Sequence, residues 1–200
     1  MSRRATVVRK TRETNIRLSL NLDGRGKTRA KTTIGFLNHM LDVIGTHGLF
    51  DITVTAKGDT DVDIHHVSED VGRVLGQAIC EALGDHKGIN RYGWSYVPME
   101  ESPARVVLDI SGRPKVIIRD QRKPAKKLKG AGTPYQWFDV EHFVESVART
   151  ARLTIHVDIF AGDDFHHTAE AICKALGKAL RQATRLDSAR KGVPSSKGQL

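Results

Sequence analysis

Apolar residues alternate with polar ones through Ile16, Leu18, Leu20 and Leu22, the two-residue period of a half-buried strand. Asp23-Gly24-Arg25-Gly26 follows with turn chemistry, and a second, more polar strand runs to about Thr33. The rhythm then changes, because Phe36, Met40, Val43, Ile44 and His47 recur at helical spacing. Ile52, Val54 and Ala56 alternate again as a strand. Beyond His65, the residues Val67, Val71, Val74, Ala78 and Ala82 mark one face of a helix that Gly84 ends. The first half reads β-β-α-β-α.

The second half repeats that order. Val106, Leu108 and Ile110 form a strand, Ser111-Gly112-Arg113-Pro114 a turn, and Val116 to Ile118 the partner strand. Val140, Phe143, Val144 and Val147 lie on a helix, Leu153 to Ile159 alternate as a strand, and Ala169 through Ala183 form the last helix. A shift of 101 residues places His65, His66 and Glu69 on His166, His167 and Glu170, and Leu75-Gly76 on Leu176-Gly177. His39 and His142 occupy matching helices after a two-residue gap. Amphipathic rhythm alone does not put two adjacent histidines and a glutamate in register, so the chain reads as an internal duplication.

The repeated motif, His-His-x-x-Glu, has the geometry of a shared metal site. Adjacent helical side chains point about 100° apart, so His65 and His66 do not easily ligate one ion. His65 and Glu69 are four residues apart on one face, as are His166 and Glu170. Each pair makes a half-site, and each second histidine, His66 or His167, is aimed at a different ion. His39 and His142 are the candidates to complete the two sites. Nitrogen and oxygen ligands without thiolate suit Zn, Fe, Ni or Mn. Four protein ligands leave two octahedral positions open, which favours catalysis over a closed structural site.

Composition narrows the picture modestly. With 39% hydrophobic and 28% charged residues, the 200-residue chain has enough apolar content for a packed core. No apolar run reaches membrane-spanning length, and the basic N-terminus lacks the apolar stretch of a secretory signal, so the cytoplasm is expected. Cys80 and Cys173 lie in apolar helical patterns without metal-site spacing and read as buried free thiols. The net charge of +9 fits either nucleic acid or a small anionic substrate. Lys123 to Lys129 is the one real basic run and reads as an exposed loop; scarce aromatics weaken a single-strand stacking platform.

The ordered motifs resemble one family, imidazoleglycerol-phosphate dehydratase. They are Arg12-Glu13-Thr14, Phe36-Leu37-Asn38-His39-Met40-Leu41, Thr46-His47-Gly48, His65-His66-x-x-Glu69-Asp70, Arg91-Tyr92-Gly93 and Asp109-x-Ser111-Gly112-Arg113-Pro114. His166-His167-x-x-Glu170-Ala171-x-x-Lys174-Ala175, Ala179-Leu180-Arg181-Gln182-Ala183 and Pro194-Ser195-Ser196-Lys197-Gly198 complete the set. The resemblance implies an α+β fold: a duplicated unit like domain 2 of ribosomal protein S5, with four-stranded sheets and paired helices. The expected divisions are residues 1–93 and 94–187 for the two repeats, and 188–200 for a C-terminal substrate-binding tail. Cys173 stands where relatives usually carry a bulky aromatic, and the stretch from Gln121 to Pro134 has no assigned role.

The implied activity is a hydro-lyase of histidine biosynthesis, dehydrating D-erythro-imidazole glycerol phosphate to imidazole acetol phosphate. The resemblance implies two Mn2+ per active site. One takes His39, His66, His166 and Glu170, and the other His65, Glu69, His142 and His167. The hydrogen to be removed is not acidic. Binding the ring between two cations favours its imidazolate form, which can expel hydroxide from the neighbouring carbon. Glu13, His47 and Lys174 are the expected acid/base and substrate-lining groups. Arg91, Arg113, Ser195, Ser196 and Lys197 match the family's phosphate contacts. The resemblance also implies a hollow octahedral shell of about twenty-four subunits, with active sites between them. The alternatives are a dinuclear metal-dependent phosphoester hydrolase, which shares the ligand set, and a basic RNA-binding module, which the paired motifs oppose. Neither nucleic acid nor membrane is an expected partner.

Overall fold

The computed structural model describes residues 3–122 and 133–200. Lys123 to Lys129 therefore lies outside the described residues. The first repeat contains β1 (Arg4–Lys10), β2 (Thr14–Asn21), β3 (Thr28–Lys31), α1 (Gly35–Gly48), β4 (Asp51–Gly58) and α2 (Ile64–Leu83). The second contains β5 (Tyr92–Met99), β6 (Ser102–Asp109), β7 (Lys115–Asp120), α3 (Trp137–Ala151), β8 (Thr154–Ile159) and α4 (Phe165–Thr184). The β-β-α-β-α series is present twice, each time preceded by one further strand. The result is an α+β protein with two four-stranded mixed sheets, ordered β1-β2-β4-β3 and β5-β6-β8-β7.

The two leading strands explain their own weak sequence signal. β1 is an edge strand with one fully buried residue, Val7, while its neighbour Val8 stays exposed. In β5 the usual pattern is inverted. Gly93 and Ser95 face inward, and Tyr92, Trp94 and Tyr96 are exposed. A side chain at Gly93 would meet the Ala179 carbonyl at 1.9 Å, so the sheet lies too close to α4 to hold an aromatic there.

The helices of each repeat cover their own sheet and then meet those of the other. α1 packs over β3 and β4, α2 over β1 and β2, α3 over β7, and α4 over β5 and β6. Between the sheets α1 pairs with α4 and α2 with α3, giving a sheet-helix-helix-sheet order. Equivalent glycines permit both pairings. A Cβ at Gly177 would lie 2.7 Å from the Ile44 carbonyl, and one at Gly76 would lie 2.4 Å from the Val147 carbonyl. Paired helices run parallel: the Phe36 and Phe165 rings are 5.2 Å apart at one end, and Gly48 meets Gly177 further along.

Asp63 and Asp164, which are equivalent residues, cap α2 and α4 by accepting from the His65 and His167 backbone N–H groups at 2.9 and 3.0 Å. These caps fix where each His-His pair leaves its loop. Among the described residues no helix is long and apolar enough to cross a membrane.

Candidate metal centre and substrate-binding groups

At the start of α1 and α4, His39, His166 and Glu170 converge, with a ligand atom of each lying within 4.8 Å of the others. Glu170 Oε2 is 3.2 Å from His39 Nε2 and 3.0 Å from His166 Nε2. Its other oxygen is 2.8 Å from Lys174 Nζ. Burial alone would raise the Glu170 pKa, but Lys174, His39 and His166 outweigh it and hold the carboxyl down to about 2.

The α2–α3 pair presents the equivalent cluster. His65 Nε2 and His142 Nδ1 lie 3.2 Å apart, and the Asp139 carboxylate is 3.4 Å from His65 Nδ1. Glu69, the fourth-residue partner of His65, is turned to Arg73 at 2.7 Å. Each cluster therefore draws on both repeats. His39 from the first meets His166 and Glu170 from the second, while His65 from the first meets His142 from the second.

His66 and His167 stand apart from these clusters, as the 100° step along a helix requires. His66 Nδ1 lies 3.1 Å from Asp59 Oδ1, and His167 Nδ1 lies 2.8 Å from Glu101 Oε2. Glu13 sits at the tip of the β1–β2 hairpin, where its carbonyl accepts from the Asp59 N–H at 3.1 Å. Its charge, with that of Asp59, raises the pKa of His66, the Asp59 hydrogen bond being the main cause.

Lys174 stands one turn beyond Glu170 and also contacts Met99 Sδ at 3.1 Å. His47 ends α1 with its pKa lowered, first by partial burial and then by the Lys174 and Lys178 ammonium groups. It opens onto a cavity of about 800 Å³ that also holds Trp94, Lys178, Arg181 and Arg185. None of the clustered histidines lines that cavity, so it and the donor clusters are separate features.

The expected phosphate contacts gather at the opposite ends of the helices. Arg91 grips Asp109 through two hydrogen bonds of 2.7 and 3.0 Å, and its Nη1 donates to the Pro194 carbonyl at 2.9 Å. Its backbone N–H donates to Ala183 near the end of α4. The tail continues through Ser195, Ser196 and Lys197 until Leu200 lies against Gly112, beside the exposed Arg113. The chain between Pro194 and Leu200 thus spans from Arg91 to the Arg113 turn.

Asp59, Glu101, Arg73 and Asp139 were not anticipated from the sequence. They lie in loops, in a hairpin tip and along helix faces where a charge reads as ordinary solvation. Only the neighbouring motif marks them. The two cysteines are free. Cys173 is buried, which pushes its thiol up to about 12, whereas Cys80 is only half-buried.

Fold and clusters together define a duplicated α+β protein with histidine/glutamate groups suited to hold metal. A family model described as imidazoleglycerol-phosphate dehydratase matches residues 32–180. The chain is 50% identical over 203 residues to the imidazoleglycerol-phosphate dehydratase of Geobacillus thermodenitrificans, covering all of both chains. It is 48% identical over 201 residues to that of Bacillus subtilis, covering 99% of this chain and 100% of the relative. The solved Staphylococcus aureus enzyme superposes with a TM-score of 0.78 at 36% identity, covering 92% of this chain and 99% of the other. The Pyrococcus furiosus enzyme, solved in complex with (S)-C348, gives 0.81 at 32% identity, covering 97% and 100%. The chain belongs to the imidazoleglycerol-phosphate dehydratase family, hydro-lyases of histidine biosynthesis.

Proposed function

We propose that the chain dehydrates D-erythro-imidazole glycerol phosphate to imidazole acetol phosphate in the cytoplasm, with two Mn2+ per site, and that each site is built by more than one copy of the chain. The observation that carries the shared site is a separation. His166 begins α4, whereas Arg91 is hydrogen-bonded to Ala183 at its far end, a span of about 25 Å at 1.5 Å per residue. A substrate with an imidazole, three carbons and a phosphate extends on the order of 10 Å at ordinary bond lengths. One chain cannot hold both of its ends with these residues, so the ring-binding end of one copy must face the phosphate-binding end of another. A closed shell of about twenty-four copies satisfies that requirement.

The donors present fit the metal. Three imidazole or carboxylate atoms already converge in the α1–α4 cluster and two imidazoles in the α2–α3 cluster, with no cysteine sulfur among those atoms. His39, His66, His166 and Glu170 would hold one ion, and His65, Glu69, His142 and His167 the other. When bound, the two ions supply Lewis-acid stabilisation of the deprotonated substrate ring. The chain's own residues do the rest. Lys174 and Glu13 bring a cation and a carboxylate, and burial with its lysine neighbours favours the neutral form of His47, the form that can accept a proton. Arg91 keeps unspent donors beyond Asp109 and Pro194, which Arg113, Ser195, Ser196 and Lys197 extend into an anion cradle.

Complementation tests the shared site. His166→Ala and Lys197→Ala/Arg113→Ala chains are each expected to be inactive or nearly so. Dissociated, mixed and reassembled, they should recover a fraction of wild-type dehydration, because some sites receive an intact half from each parent. Mixed assemblies that form and stay inactive would overturn it. A product containing free inorganic phosphate and no ketone would instead support a phosphoester hydrolase.

A further inference from the structure

His66 and His167 stand outside the clusters, and each commits its Nδ1 to a carboxylate that belongs to neither cluster. In His66, Nδ1 faces both Asp59 oxygens, at 3.1 and 3.3 Å. In His167, Nδ1 faces Glu101 Oε2 at 2.8 Å. A carboxylate accepts only, so in each pair Nδ1 carries the proton and donates it. The lone pair is thereby left on Nε2, at the far side of the ring. Both rings thus present the same nitrogen outward.

The two carboxylates are not copies of each other. Shifting Asp59 by the repeat offset of 101 residues lands on Phe160, whose ring meets that of Tyr96 edge-on with centroids 5.0 Å apart. Asp59 comes from the loop between β4 and α2, whereas Glu101 comes from the tip of the β5–β6 hairpin. Where the second repeat lacks the loop carboxylate, a different element supplies one at the same nitrogen. Inheritance from the duplication does not explain that agreement, whereas a shared requirement of the two histidines does.

Glu101 is also held firmly. Its Oε1 accepts from the Ser102 hydroxyl at 3.0 Å and from the Asp164 N–H at 3.3 Å, so the oxygen facing His167 is fixed. Asp164 is the residue that caps α4 at His167, which ties the hairpin tip to the helix start. Asp59 is anchored likewise: its N–H donates to the Glu13 carbonyl, and its carbonyl accepts from Asp63, the cap of α2.

We propose that Asp59 and Glu101 are positioning residues that fix the tautomer and orientation of His66 and His167, so that each presents Nε2 to a metal ion assembled against a neighbouring copy. The inference rests on His66 and His167 being ligands, as in the proposed function. A carboxylate behind a ligating imidazole also raises its basicity, and loss of such a partner typically weakens metal binding about 10–100-fold.

The test measures Mn2+ affinity and ions bound per chain in the assembled protein, by electron paramagnetic resonance titration and elemental analysis. Glu101→Ala and Asp59→Ala should each weaken Mn2+ binding about 10–100-fold. Glu101→Gln and Asp59→Asn, whose amide oxygens still accept from Nδ1–H, should recover most of that loss. Glu100→Ala removes a carboxylate 4.0 Å from the other ring nitrogen of His167 and should change affinity less than about threefold, as expected of an exposed charge.

Three results would overturn the proposal. They are wild-type affinity in both alanine variants, amide variants no better than alanine, or an equal loss in Glu100→Ala, which would mean that bulk negative charge is what matters. His66→Ala and His167→Ala separate this failure from that of the underlying reading. If those variants lose metal while Glu101→Ala and Asp59→Ala keep it, the ligands stand and the positioning role falls. If they retain full metal, the ligand assignment itself falls.

Discussion

The α1–α4 and α2–α3 helix pairs are copies of one another, yet they finish differently one turn beyond the histidines. In α1–α4, Glu170 is followed by Lys174, which contacts Glu170 and the Met99 sulfur. In α2–α3 the equivalent cation is Arg73. It meets Glu69 at 2.7 Å and Asp70 at 3.7 Å, and its backbone carbonyl accepts from Thr150. Asp70 is itself buried and binds Arg9 and the Thr14 hydroxyl, whereas its counterpart in α4 is Ala171. With the two-residue offset of the first helices, His47 in one pair corresponds to Thr150 in the other.

The difference separates two tasks that the duplication began by sharing. Both pairs bring histidines together, so on the proposed ligand set ligation would be symmetric. Of the two pairs, α1–α4 carries a lysine and a histidine whose pKa is lowered, while α2–α3 has an arginine network and a hydroxyl at the equivalent positions. A lysine ammonium on a flexible stem can move to a substrate and exchange a proton, and an arginine held by two carboxylates cannot. This contrast supports placing the acid/base work in α1–α4 and a structural role in its twin.

That division can be broken in stages. Ligand loss should be symmetric and largest: His166→Ala and His65→Ala are each expected to lower turnover at least roughly a thousandfold, since several kcal/mol of Lewis-acid stabilisation disappears with either ion. Steady-state assays beside metal analysis check this, and near-normal turnover in either would sink the shared ligation. The next substitution should be asymmetric. Lys174→Ala should cost about 100–1,000-fold in kcat with metal retained, within the usual range for acid/base groups. Arg73→Lys should leave kcat within about threefold while lowering the melting temperature, because a guanidinium bridging Glu69 and Asp70 is replaced by a point charge. Equal losses of kcat would erase the contrast.

A smaller effect is expected at the phosphate end. Lys197→Ala should raise KM about 10–100-fold, the value of one charge-assisted hydrogen bond, with kcat little changed. An unaltered KM would remove the tail from the cradle. The mildest test is acid titration of the metal-free protein by circular dichroism. Glu170 has a folded pKa of about 2, below its ordinary value of 4.5. The stability it contributes is therefore present above about pH 4.5 and is lost as pH falls towards 2. Lys174→Met should shift that acid transition to higher pH. No shift would mean that the lysine does not hold the carboxylate.

The outline of this protein was legible along the chain. Period-two alternation in β2, β4, β6 and β8 and helical spacing in α1 to α4 appear because each of these elements buries one continuous face. β1 and β5 were not legible, since one has a single buried residue and the other turns its aromatics outward. The His-His-x-x-Glu register and the split of adjacent histidines also followed from the sequence, because helix geometry sets both within a few residues.

Only the tertiary structure decided which histidines meet across the repeats, with α1 against α4 and α2 against α3. Those pairings depend on close packing at Gly76 and Gly177, between residues some seventy to one hundred and thirty positions apart. It also decided that Asp59 and Glu101 meet His66 and His167, and that Arg91 and the Ser195–Lys197 segment lie a helix length from the α1–α4 histidine cluster. Local spacing fixes the direction of a side chain, but which chain segment it faces depends on how whole helices pack.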